Sequence, residues 1–230
     1  FLLPVLVEPL FSSFSQMPEG SLRTELLATA QRANLPVRDV LVADASRRTT
    51  ALNAYVSGFG ATRRIVVYDT MVRDLPIEQT TMVVAHELGH VAHRDVVRNT
   101  LVAALWAAAV ATVLVALTPR AGTQAAVFVL AALVAGTVSQ PISNAVSRSQ
   151  ERAADEYALQ LAPNAQHVTA FAAMQRELAI RNISSLDPPR WAYLMFATHP
   201  LAPERIARAR AVAEQRGWPI PPPMATLGTR

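Results

Sequence analysis

Two stretches without a charged side chain constrain this chain more than any other feature. No Asp, Glu, Lys or Arg stands between Arg98 and Arg120, and none between Arg120 and Arg148. Within them, residues 100–117 and 125–138 are strongly apolar. Such runs must be wrapped by protein on every side or face lipid, and a helix crossing ~30 Å of hydrocarbon needs ~20 apolar residues. A chain of 230 residues has little material to wrap two helices completely. Residues 100–140 are therefore expected to form a transmembrane helical hairpin in the lipid bilayer. Arg94, Arg98, Arg148 and Arg152 flank its open end and only Arg120 lies in its turn, which places the open end on the cytoplasmic side. The competing reading is a soluble protein with two core helices.

The flanking segments read as a mainly α chain with a small antiparallel β-sheet, an α+β class, forming one catalytic domain overall. Residues 1–18 are expected to be the end of an upstream membrane or interfacial segment, because Pro4, Glu8 and Pro9 spoil a full span. Residues 19–99 supply a helix over 19–34, short Val-, Ile- and Tyr-rich strands at 40–43, 51–56 and 65–68, and a helix from Pro76 with no stop signal through Asn99. Gly58 and Gly60 fall in the connecting turn. Beyond the hairpin, 141–216 carries helices from Pro141 to about Leu161, from Asn164 to Arg181, and from Pro203 to about Gly217. The Pro-rich 217–230 reads as a flexible tail.

Cysteine is absent, so any metal must be held by His and carboxylates. His86-Glu87-Leu88-Gly89-His90 is an HExxH sequence inside the predicted helix. Four residues turn a helix by roughly 400°, so the two imidazoles share one face and suit a single Zn²⁺. Glu87 beside them is placed to take a proton from metal-bound water. Gly89 costs helix stability of ~1 kcal/mol against Ala, which implies that something packs close there. A catalytic zinc keeps three protein ligands. His93 shares the face but lies about 10.5 Å along the helix from His86, too far for one ion, and is assigned to the shoulder of the site or to solvent. Glu151 is the better third ligand. Asp155 follows one turn later on the same face, placed to hydrogen-bond a ligand imidazole, while Ala153 and Ala154 keep that surface low. His90 and Glu151 stand ten and thirteen residues from the apolar runs, so the hairpin returns both to one side at similar depth, ~15–20 Å beyond the boundary.

At these residues the chain resembles the integral-membrane zinc CAAX prenyl endopeptidases, of the HExxH-plus-Glu class with a zincin-like core. MPEGSLRTELLATAQRANLPV, NAYVSGFGATRRIVVYDTM, AHELGH, SRSQERAADEYA and HPLAPERI follow that family's order over roughly residues 8–212. The resemblance implies His86, His90 and Glu151 as ligands of one zinc and Glu87 as base. It also implies that Asn53 contacts the substrate backbone from an edge strand, that His199 and Arg205 stabilise the transition state, and that further transmembrane helices lie upstream. Asn53 falls in a short predicted strand to which an extended substrate could add. His199 precedes Pro200 and so lies on a loop, not a helix. HVAHRD and THPLAPERIARAR also resemble the heat-shock-type membrane metalloproteases, which share the catalytic plan.

The function expected is an endopeptidase acting on a peptide or protein, lipid-modified or membrane-associated, with its site on the cytoplasmic side of a cell or inner membrane. The alternatives are a heat-shock-type quality-control metalloprotease and a non-catalytic zinc-holding membrane scaffold. The intact Glu87 argues against the scaffold. A net charge of +4 from scattered arginines, with no accompanying motif, excludes nucleic acid as a partner.

Overall fold

Val40, Ile65 and Val67 are completely buried, and these β-branched residues form the centre of a small sheet. The structure, a computed structural model, describes residues 13–117, 124–181 and 185–224. Residues 1–12 of the expected upstream segment, the hairpin turn with Arg120, and the end of the tail lie outside the described residues. The sheet comprises β1 (Phe14–Gln16), β2 (Asp39–Ala43), β3 (Ala54–Ser57) and β4 (Arg64–Tyr68), in the order β1-β2-β4-β3.

The sheet is mixed, not antiparallel throughout. β2 and β4 run parallel with Val40 opposite Ile65, while β1–β2 and β3–β4 are antiparallel. The chain leaving β2 crosses to the far side of β4 before turning back, so β3 folds onto β4 and becomes the sheet edge. Gly58 makes that return at φ 86°, where a Cβ would sit 2.6 Å from the Thr62 carbonyl oxygen. β1 falls within the segment expected to belong to an upstream element; three residues are too short to show a period. β3 also starts later than expected, because the Thr70 hydroxyl takes the Ala51 carbonyl at 2.7 Å. Asn53 therefore precedes the strand proper, although its carbonyl still accepts the Tyr68 N–H at 3.0 Å.

Seen along the chain, the helices are α1 (Ser21–Arg32), α2 (Asp69–Asp74), α3 (Ile77–His93), α4 (Asp95–Leu117), α5 (Gln124–Leu161), α6 (Ala165–Arg181), α7 (Arg190–Phe196) and α8 (Ala202–Gln215). α3 is the axis of the fold because it has three occupied faces. Val84 and Leu88 join Leu26 of α1 and Ile65 and Val67 of the sheet in one core. Met82 and Ala85 join Leu159 of α5, Phe171 of α6 and Ile206 of α8 in another. The remaining face carries His86 and His90.

Two helix boundaries differ from the sequence reading. The helix expected to run from Pro76 through Asn99 breaks at Arg94, which adopts left-handed backbone at φ 56° and caps α3 through its N–H to Val91 and His90 carbonyls. Arg is not a residue that announces such a cap. α5 runs unbroken through Pro141, where a new helix was expected to begin; the proline removes one hydrogen bond, to the Thr137 carbonyl, without ending the helix. The described tail residues 217–224 have no regular structure but are packed. The Trp218 N–H donates to Ala213 at 2.8 Å, and Trp218 and Met224 lie against the second core.

α4 and α5 are both long and apolar enough to cross a membrane, over 95–116 and 129–161 at mean hydropathies of 1.9 and 1.4. Only 6% of each apolar window is buried, and Leu105, Val129 and Leu133 are among the exposed side chains. The described protein thus does not wrap them as core helices. Asn99 and Gln150 exchange two hydrogen bonds, 3.0 and 2.7 Å long, and tie the open end of the pair together beside the site.

Candidate metal centre

α5 crosses α3 at Gly89. A Cβ there would sit 2.9 Å from the Ala154 Cα, closer than such atoms approach, so only glycine permits the crossing. This contact brings Glu151, one turn before Asp155, over His86 and His90. The donor atoms converge. His86 Nε2 and His90 Nε2 are 3.2 Å apart, and the Glu151 oxygens lie 3.4 Å from the first and 3.5 Å from the second. Two donors each ~2.0–2.1 Å from one tetrahedral ion stand roughly 3.3–3.4 Å apart. The spacing therefore fits a metal ion at their centre, and these three residues form the metal-competent cluster among the described residues. Glu151 Oε2 is buried without a hydrogen-bond partner, an oxygen whose demand a cation would meet.

Both imidazoles are held from behind. His86 Nδ1 lies 2.9 Å from Asp155 Oδ1, and His90 Nδ1 lies 2.8 Å from Asp95 Oδ2. Each Nδ1–H donating to its carboxylate leaves the Nε2 lone pair facing the centre. Asp95 is buried and escaped the sequence reading, since a residue five positions on lies on another face of a continuous helix. The break at Arg94 is what turns it back onto His90. Burial would lower the His86 pKa, but the carboxylates of Asp155 and Glu151 outweigh it and push the imidazole up to about 9. His90 shifts upward against its own burial for a similar reason, through Glu151 and Asp95.

Glu87 faces the same cavity, about 650 Å³ in volume. Burial raises its pKa, opposed by the charges of His86 and His90. Asn53 is exposed on the cavity wall at the β3 edge. His199 Nε2 reaches within 3.4 Å of Glu151 Oε1, its side chain 59% exposed. Arg205 is aimed elsewhere than at the centre: its guanidinium makes a two-bond pair with Asp155, through Nε at 2.7 Å and Nη2 at 2.5 Å, and comes no closer than 4.0 Å to Glu151. Asp155 thus joins His86 to Arg205. His93 is outside the cluster; its ring packs edge-on against Tyr157 with centroids 5.7 Å apart. The structure brings His86, His90, Glu151, Glu87, Asp155, Arg205, His199 and Asn53 into one neighbourhood.

A helix bearing HExxH is thus crossed by a second helix that brings a glutamate to the same point. The description of peptidase family M48 matches residues 16–213, and the chain belongs to that family. It is similar to the metalloprotease YhfN of Bacillus subtilis (strain 168), with 32% identity over 224 residues, 91% of this chain and 52% of that protein. It is also similar to the CAAX prenyl protease 1 homolog of Arabidopsis thaliana, 41% identical over 88 residues, 38% of this chain and 21% of that one. The fold matches a crystal structure of S. mikatae Ste24p with a TM-score of 0.79 at 24% identity, covering 90% of this chain and 53% of that one. The chain spans about half the length of YhfN and of Ste24p.

Proposed function

We propose that this protein is a zinc-dependent membrane endopeptidase, with His86, His90 and Glu151 as zinc ligands and Glu87 as general base. The single observation that carries the reading is the convergence of three donor atoms at tetrahedral-ligand spacing beside a half-buried glutamate that donates nothing to the set. An all-N/O donor set without thiolate, with both imidazoles backed by carboxylates, suits Zn²⁺. Bound there, zinc supplies a Lewis acid that polarises a carbonyl and acidifies a water. Glu87 takes the proton of the attacking water and delivers it to the leaving amine, a task its raised pKa suits. His199 donates from Nε2 to the oxyanion that develops on the scissile carbonyl. Asp155 and Asp95 hold the two ligand imidazoles in one tautomer, and Arg205 fixes Asp155. The outer edge of β3, an end strand of the described sheet, binds the substrate backbone as an added strand, with Asn53 at its start.

The substrate is a peptide or protein. Similarity to CAAX prenyl proteases extends the proposal to lipid-modified or membrane-associated ones. In this reading α4 and α5 cross the bilayer of an integral membrane protein, and the flanking arginines favour a site on the cytoplasmic side. The test compares peptides released from membrane protein fractions by the zinc-loaded protein and by Glu87→Gln, using mass spectrometry. New cleavage ends produced by the parent alone support the reading. Equal cleavage by both, with zinc retained in both, removes Glu87 as the base.

A further inference from the structure

We infer that Arg148, with Asn144 and Ser147, positions His199 over the metal centre by fixing its loop to the same face of α5 that carries Glu151. The inference rests on the endopeptidase reading above and names how one of its groups is held. Residues 144, 147, 148, 151 and 155 fall within roughly 100° of arc on one helix. The last two belong to the centre; the first three address backbone. Asn144 Nδ2 donates to the Leu194 and Met195 carbonyls at 3.2 and 2.6 Å. Arg148 Nη1 donates to Tyr193 and Ala197 carbonyls at 3.3 and 2.6 Å, and Ser147 Oγ donates to Thr198 at 2.9 Å. These carbonyls belong to the last turn of α7 and the following loop, where intrahelical partners run out; that of Tyr193 also accepts the Ala197 N–H at 3.2 Å.

His199 needs this mount because little else holds it. Its side chain is more than half exposed. Thr198 Oγ1, 2.8 Å from its Nδ1, and the buried Pro200 bracket it in sequence. Arg148, by contrast, is 4% exposed, its guanidinium carbon 4.6 Å from the Tyr193 ring centroid. Desolvating a guanidinium is costly, and a similar-sized apolar side chain would pack there without that cost. What the arginine adds is a planar set of donors that fixes two carbonyls one turn apart in position and direction. Ser147 and Glu151 are themselves one turn apart, so one rigid helix sets the distance from His199 to the ligand it approaches at 3.4 Å. Arg148 and its two neighbours touch no reacting atom in this arrangement. They are positioning residues.

A double-mutant cycle between Arg148→Met and His199→Ala tests this, using the peptide the parent protein cuts fastest in the comparison above. Arg148→Met is expected to lower kcat by about 10-fold or more, as misplacement of a catalytic group does, with KM and zinc content unchanged. In the His199→Ala background the same change is expected to cost less than about twofold, because the group it positions is gone. Ser147→Ala removes a single exposed hydroxyl and repeats the cycle should Arg148→Met not fold. Equal losses in both backgrounds, or no loss in either, overturn the inference. An inactive Glu87→Gln beside an additive cycle sinks this inference alone, whereas an active Glu87→Gln removes Glu87 as the base in the reading it rests on.

Discussion

At the scale of single residues, the centre depends on carboxylates that never reach the metal position. Asp155 was visible in the sequence because it sits one helical turn from Glu151. Asp95 was not, because its approach to His90 requires a left-handed residue that only the folded chain reveals. Both hold a ligand imidazole at hydrogen-bond distance, so Asp95→Ala and Asp155→Ala are each expected to weaken zinc affinity by roughly 10–100-fold. Competition with a chelator of known affinity measures this. Unchanged affinity for Asp95→Ala would mean that the contact orients nothing. His199 stands on the other side of the division. His199→Ala is expected to leave zinc content intact while lowering kcat by about 10²–10³; a change confined to KM would make it a substrate-binding residue instead.

Between elements, the decisive contact is the crossing of α3 and α5 at Gly89. In an isolated helix Gly→Ala is stabilising by ~1 kcal/mol. Here the added Cβ meets backbone of Ala154 at 2.9 Å, and forcing such a contact costs typically ~1–3 kcal/mol. The clash wins, so Gly89→Ala is expected to lower thermal stability and zinc affinity together, both read by melting with and without zinc. A more stable protein with normal zinc content would contradict the crossing. Such elements were legible in the sequence where a period or a motif was long enough to read. The HExxH helix, the glycine that forces close packing, the apolar pair and Glu151 opposite all follow from spacing. Other elements depended on contacts distant in sequence. The parallel β2–β4 pair follows from where β3 turns back, the late start of β3 from a Thr70 hydroxyl, and the mount of His199 from side chains some fifty positions away.

For the whole molecule, the apolar pair α4 and α5 is what closes the site, because Glu151 reaches His90 only if residues 100–140 fold back on themselves. If both helices cross lipid, a charged residue at Leu105 or Val129, each more than half exposed, is expected to cost about 2.5–3.5 kcal/mol of insertion, read by membrane-insertion assay. Insertion that tolerates both charges would remove the bilayer from the proposal. The claim on which everything else rests is that two helices, joined by that hairpin, hold one ion. Metal content by mass spectrometry after dialysis against a mild chelator tests it, comparing Glu151→Ala with His93→Ala. The expected result is loss of stoichiometric zinc in Glu151→Ala and near-normal zinc in His93→Ala, whose ring packs on Tyr157 outside the cluster. An empty site in His93→Ala and a full one in Glu151→Ala would contradict it.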